Sequence, residues 1–180
     1  MVQLKRDPDL VEFLAGLLQR HRLPAEQLEL EFTEGMFLDP ALQALDERLR
    51  ALAARGIRLS IDDFGIGWSS LAYLNRFPFS RIKIDRSFVS GIATDADARA
   101  IVSTIVELGH SLRKAIVAEG VATEAQLALL REIACDEAQG YHFGRPGPAG
   151  SLSLVAPRPR PRPTPEGMAV RSDPADEVRR

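Results

Sequence analysis

The chain has 180 residues, 45% hydrophobic and 27% charged, a composition that suits one globular domain and excludes fibrous or coiled-coil architectures. Its 23 basic side chains against 25 acidic ones leave no overall field to draw in nucleic acid or an anionic membrane, so a phosphate-bearing ligand must be met locally. No apolar run approaches the roughly 20 residues of a membrane span, and Lys5, Arg6 and Asp7 stand where a signal peptide would have its apolar core.

The one cysteine, Cys135, has no internal disulfide partner; it reads as a small buried residue of a cytoplasmic protein. Residues 8–20 carry Leu10, Leu14, Leu17 and Leu18 at helical spacing, closed by Leu23-Pro24. A strand is predicted over 28–33. Asp39 then offers an N-cap with Pro40 at the first helical position, and Leu42, Leu45, Leu49 and Leu52 form a stripe that ends at Gly56. Further strands are predicted over 57–61, 81–84 and 115–118, the second preceded by a glycine-rich loop. Ile101, Ile105, Leu108 and Leu112 mark the helix between the last two. Thr123-Glu124-Ala125-Gln126 has capping-box spacing, and a last strand is predicted over 138–143.

Five strands alternating with helices argue for an α/β fold with a parallel sheet and right-handed crossovers over 1–150. The segment 151–180 differs. Pro157, Pro159, Pro161, Pro163 and Pro165 alternate mostly with arginine, a pattern that favours polyproline II and a disordered tail; the alternative is a basic binding segment using Arg158, Arg160 and Arg162.

Acids gather where the predicted strands end: Glu31 and Glu34 at the first, Asp62 and Asp63 at the second, Asp85 at the third, Glu119 at the fourth. That edge of a parallel α/β fold is where ligands bind. Carboxylates that outnumber nearby cations repel unless a cation holds them, and oxygen ligands without a histidine or cysteine cluster suit Mg2+ or Mn2+. Two such ions would suit attack of water on phosphorus. Each element also has a structural reading. An Asp-Asp pair can be only a turn or cap, Glu31 and Glu34 a solvated edge, and Gly65 with Gly67 a flexible turn. Lys83, between Ile82 and Ile84, needs a carboxylate, a ligand or a route to water, and a structural ion pair would serve equally. His110 and His142 fit surface or core positions better than metal ligation.

Five stretches occurring in order carry a resemblance. They are Leu28-Glu29-Leu30-Glu31-Phe32-Thr33-Glu34, Asp62-Asp63-Phe64-Gly65-Ile66-Gly67-Trp68-Ser69-Ser70-Leu71, Ile82-Lys83-Ile84-Asp85-Arg86-Ser87-Phe88-Val89, Ala118-Glu119-Gly120-Val121 and Gln139-Gly140-Tyr141-His142-Phe143-Gly144-Arg145-Pro146. Together they resemble the EAL family of cyclic di-GMP phosphodiesterases, over roughly 7–148. The resemblance implies a TIM-like (β/α) barrel of about five βα units here, a two-metal site at the C-terminal ends of its strands, and hydrolysis of cyclic di-GMP to linear pGpG. It implies metal ligation by Glu31, Asp62, Asp63 and Glu119, with Asp62 bridging both ions. It gives Lys83 a place beside the attacking water, Gln139 a share in holding that water, and Glu34 the task of steadying the active-site loop. The loop from Phe64 to Ser70 corresponds to the segment that links the site to a homodimer interface. No partner nucleic acid is expected.

The departures carry equal weight. Ala122 stands where the family commonly has glutamate, Gly35 replaces a usual serine and Trp68 a usual tyrosine. The Glu-Ala-Leu strand that names the family and an Asn ligand should precede Met1, so the first ion is expected to keep only Glu31 and Asp62. A complete barrel takes about 250 residues. The expectation is therefore an incomplete barrel with exposed edges, inactive or nearly so as it stands. Two functions remain open at this point: a phosphodiesterase whose upstream strands lie elsewhere, or a degenerate domain that binds the dinucleotide or a partner without hydrolysis. The reading frame upstream of Met1 discriminates them.

Overall fold

The computed structural model describes residues 7–38, 45–67, 71–148 and 150. The chain divides into two compact units, Met1–Arg145 and Pro146–Arg180. In the second, the described residues 146–148 and 150 are exposed; the proline and arginine segment expected as a tail lies outside the described residues.

Among the described residues of the first unit, five strands form one parallel sheet in sequential order: β1 (Glu29–Thr33), β2 (Arg58–Phe64), β3 (Arg81–Ile84), β4 (Ala115–Ala118) and β5 (Glu137–Ala138). Six α-helices accompany them: α1 (Leu10–His21), α2 (Asp46–Ala54), α3 (Leu71–Arg76), α4 (Arg86–Gly91), α5 (Ala96–Ser111) and α6 (Glu124–Glu132). Parallel strands joined by helices, each pairing with the next in sequence, are the successive units of a (β/α) barrel, here an open arc of five. No helix among the described residues is long and apolar enough to cross a membrane.

Alternation along the strands sorts the side chains onto two faces. Leu30, Phe32, Leu59, Ile61, Ile82, Ile84, Ile116 and Ala118 join one apolar cluster with Leu49 and Leu52 of α2, Val102, Ile105 and Val106 of α5, and Leu127 and Leu130 of α6. The other face is polar. Parallel register places Glu31 beside Ser60, Ser60 beside Arg81, and Lys83 beside Val117. On this inner face Arg81 makes two hydrogen bonds to Glu137 of β5, at 2.7 and 2.8 Å, and approaches Glu29 of β1 at 3.4 Å. One guanidinium thus ties the first, third and fifth strands across the sheet, in the layered manner by which alternate strands fill a barrel interior.

Most predicted elements stand where the periodicity places them. Arg81–Ile84 and Ala115–Ala118 keep their predicted bounds, and the capping box closes reciprocally: the Thr123 hydroxyl accepts from the Gln126 N–H, and the Gln126 side chain accepts from the Thr123 N–H. Three differ. The second strand runs on through Asp62 and Asp63 to Phe64, because Asp62 still pairs with Thr33 of β1 and Phe64 pairs with Ile84 of β3 beyond a bulge. The last strand is only Glu137–Ala138, after which the chain turns. The cause is Gly140, where a β-carbon would lie 2.2 Å from the Val121 carbonyl oxygen and 2.4 Å from its nitrogen, so the backbone presses flat on the loop after β4 instead of extending. In α5 the buried face is Ala98, Val102, Ile105, Val106 and Gly109, one position round from the predicted stripe, which leaves Ile101 40% exposed. The helical start predicted at Asp39 and Pro40 lies outside the described residues. Cys135 is buried as expected, its thiol 3.3 Å from the Glu137 carbonyl oxygen.

Ile82 is fully buried between β2 and β4, so Ile82→Ala is expected to cost about 2–5 kcal/mol of unfolding free energy. Ile101→Ala should cost less than about 0.5 kcal/mol. Urea denaturation of both variants checks this, and equal midpoints would contradict the assignment of faces.

Candidate active site

The C-terminal ends of the strands gather the acids. Glu31 lies on β1, Asp62 and Asp63 near the end of β2, Lys83 on β3, and Glu119 and Gln139 directly after β4 and β5. In a regular strand Asp62 and Asp63 would point to opposite faces. The β2–β3 register instead advances from Ile61 opposite Ile82 to Phe64 opposite Ile84, three residues against two, and Asp63 takes a left-handed φ of 54°. The bulge re-aims the second carboxylate. As a result Asp62, Asp63 and Glu119 each offer an oxygen within 4.8 Å of the others.

Lys83 stands at the centre of this charge. It is 6% exposed, and its ammonium lies 2.6 Å from Glu119, 2.7 Å from Glu31 and 3.4 Å from Asp62. Burial opposes its charge, but the hydrogen bonds to Glu119 and Glu31 and the charges of Glu119 and Asp62 outweigh that and hold its pKa well above the ordinary lysine value. Glu31 therefore meets the other acids through Lys83; the close group of three carboxylates does not include it.

Asp63 is held back from its charged form. Burial, the charges of Asp62 and Asp85 and a hydrogen bond with Asp85 raise its carboxyl above the usual value, with Lys83 opposing. Asp85, one of the acids singled out at strand ends, caps α4 by accepting from the Ser87 N–H at 2.8 Å. Burial works against its charge, but the bonds from Ser87 and Arg86 lower its pKa.

Two further contacts fix the loops. Buried Glu34 accepts from the N–H groups of Gly65 and Gly67, at 2.9 and 3.2 Å, and so ties the loop after β2 to the turn after β1. Residues 68–70 of that loop lie outside the described residues. Gln126 accepts from the Ala122 N–H at 2.8 Å and donates to the Ser90 carbonyl at 3.2 Å, joining the loop after Glu119 to α4. Gln139 donates its N–H to the Ala118 carbonyl, and its own carbonyl accepts from Val121, so its side chain starts beside Glu119 on the wall of a pocket of about 450 Å³. Sequence reading found these side chains but missed α3, α4, the Arg81 tie and the Gln126 brace. His110 pairs with Asp136 and His142 with Glu124, both away from the three carboxylates.

Three hard oxygen donors this close suit a divalent cation of the Mg2+ or Mn2+ type, and burial together with the charges of Asp62 and Asp85 raises the pKa of Asp63. With the folded pKa above 3.8, the contribution of Asp63 to stability is full below that pH and is lost as pH rises through the folded value. Asparagine carries no such charge and tolerates the left-handed backbone. Asp63→Asn should accordingly melt about 2 °C or more above the parent in EDTA at pH 7, with the gap closing toward pH 3. Excess Mn2+ should reverse the order, because the variant loses a ligand. A parent that is more stable than Asp63→Asn in EDTA would contradict this reading.

A family model described as EAL domain matches residues 2–146. The bifunctional diguanylate cyclase/cyclic di-GMP phosphodiesterase MucR of Pseudomonas aeruginosa is 48% identical over 143 residues, which cover 79% of this chain and 21% of MucR. The chain thus spans about a fifth of that relative's length. A solved structure described as the PaMucR phosphodiesterase in complex with c-di-GMP superposes with a TM-score of 0.75 at 45% identity, over 83% of this chain and 60% of that one. Klebsiella pneumoniae BlrP1, in a manganese and cyclic di-GMP complex, gives 0.71 at 33% identity over 79% and 36%. With most of its length fitting that model, and its open parallel barrel matching these structures, the chain belongs to the EAL-domain family.

Proposed function

We propose that this domain hydrolyses cyclic di-GMP to linear pGpG with two divalent cations, Mg2+ or Mn2+. The observation that carries the proposal is the convergence of Asp62, Asp63 and Glu119 within 4.8 Å, with the Lys83 ammonium 2.6 Å from Glu119. Relatives and solved neighbours described as cyclic di-GMP phosphodiesterases or as complexes with that dinucleotide support the substrate.

Asp62, Asp63 and Glu119 would hold the ions, and Glu31, which meets them through Lys83, would join them. Cations bound there would supply a more acidic water and neutralise charge on the phosphodiester and the departing oxygen. Glu119, Glu31 and Asp62 favour the Lys83 ammonium, so its part is electrostatic: it faces developing negative charge and donates a hydrogen bond. Gln139, on the pocket wall with Glu119, offers an amide to orient the water. Glu34 holds the loop after β2 in place through Gly65 and Gly67. The exposed Ile66 supports a homodimer formed through this loop. Cytoplasmic residence belongs to the same proposal, since Cys135 is the single cysteine of the sequence and has no internal disulfide partner.

Conversion of cyclic di-GMP to pGpG in Mg2+ or Mn2+, by the whole protein that carries these residues, tests the proposal. Asp62→Ala should lower the rate about a hundredfold or more, Glu119→Ala nearly as much, and Asp63→Asn less. Near-parental turnover by Asp62→Ala would remove the proposed site.

A further inference from the structure

The loop that carries Glu119 is tied down at both of its ends. At its start the Glu119 N–H donates to the Ile84 carbonyl at 3.2 Å, and Gly120, with a φ of 74°, lies against α4 so closely that a β-carbon there would come within 2.5 Å of Cβ of Arg86. At its end stands Gln126, only 7% exposed. The side-chain oxygen of Gln126 accepts from the N–H groups of Ala122 and Thr123, at 2.8 and 3.0 Å, and its amide donates to the Ser90 carbonyl at 3.2 Å. Ser90 is in the last turn of α4, where carbonyls lack a partner within the helix, so the amide satisfies a group that α4 leaves open. A capping box asks of its third helical residue only the bond from the Thr123 N–H; the bonds to Ala122 and Ser90 go beyond it. The cap of α4, Asp85, donates its own N–H to the Phe64 carbonyl at 3.5 Å, one residue past Asp63. α4 is thus seated against the segments that carry two of the three clustered carboxylates.

Resting on the proposed metal-dependent hydrolysis, we propose that Gln126 is a positioning residue: by clamping the loop after β4 to α4 it holds Glu119 at ion-binding distance from Asp62 and Asp63. It acts through the backbone of Ala122 and Ser90. Three carboxylates with oxygens within 4.8 Å of one another repel until a cation joins them. A loop released from α4 would let that repulsion carry Glu119 outward, and an arriving ion would then have to pull the ligand back. Groups that orient metal ligands in this way contribute to metal affinity although they never touch the ion. Helix capping alone would leave ion affinity untouched, and this separates the two roles of the one side chain.

Calorimetric titration of the whole protein with Mn2+, beside its melting temperature, tests the assignment in the parent, Gln126→Glu, Gln126→Met and Thr123→Ala. Glutamate keeps the capping oxygen but sets a second oxygen against the Ser90 carbonyl; methionine removes both kinds of bond without adding charge. Thr123→Ala removes the other half of the capping box and leaves the bond to Ser90. Both Gln126 variants should bind Mn2+ roughly tenfold or more weakly than the parent. Thr123→Ala should melt about 2 °C or more below the parent, yet bind Mn2+ within about twofold of it. Hydrolysis by Gln126→Glu should fall at limiting Mn2+ and return to within about twofold of the parent in excess Mn2+. Parental Mn2+ affinity in a folded Gln126 variant would overturn the positioning role, as would equal weakening in Thr123→Ala, which would make the effect one of helix capping. Those results with hydrolysis still dependent on Asp62 sink the positioning role alone; a parent that neither binds Mn2+ nor hydrolyses cyclic di-GMP sinks it together with the proposed function.

Discussion

The ammonium of Lys83, buried on the inner face and held by carboxylates from three other segments, is the contact on which the rest of the site depends. Glu31 comes from β1, Asp62 from β2 and Glu119 from the end of β4, so one cation fixes the relative positions of strands far apart in sequence. An unpaired lysine there would be costly, and three unpaired acids more so. Lys114 shows the contrast. It is also buried, but its ammonium donates to the Phe79 carbonyl, and burial lowers its pKa. The two lysines are pushed in opposite directions because only one has acids around it.

That arrangement follows from a sheet whose two faces differ in chemistry. The helix-facing side is a continuous apolar layer and supplies the stability; the concave side carries Glu29, Arg81 and Glu137 in one layer and Glu31, Asp62 and Lys83 in the next. Charge on the concave face is nearly balanced in the lower layer, where Arg81 meets two acids. It is in deficit in the upper one, where Asp63 and Glu119 join the count and Lys83 is the cation in contact. The deficit is what would give a divalent ion its place.

The fold was largely legible because strand alternation and helix spacing are local. Glu29-Leu30-Glu31-Phe32 and Arg81-Ile82-Lys83-Ile84 declare a polar and an apolar face without any tertiary information. The acids at strand ends, and the need of Lys83 for carboxylates, followed from the same strands. What stayed hidden depends on contacts between segments. The bulge that turns Asp63 toward Glu119 arises from pairing with β3, the early end of β5 from the approach of Gly140 to Val121, and α4 is a six-residue helix too short to show a period. The Arg81 tie stayed hidden because its partners lie more than fifty residues away on either side.

Mn2+ binding followed by electron paramagnetic resonance, in the parent and in Lys83→Met, tests most directly the claim that Lys83 and a divalent ion share one set of carboxylates. Removing a positive charge a few ångströms from the ligands should tighten Mn2+ binding about tenfold or more, although the variant loses the electrostatic part proposed for Lys83 in turnover. Unchanged or weaker Mn2+ binding by Lys83→Met, in a protein that still folds, would contradict the account.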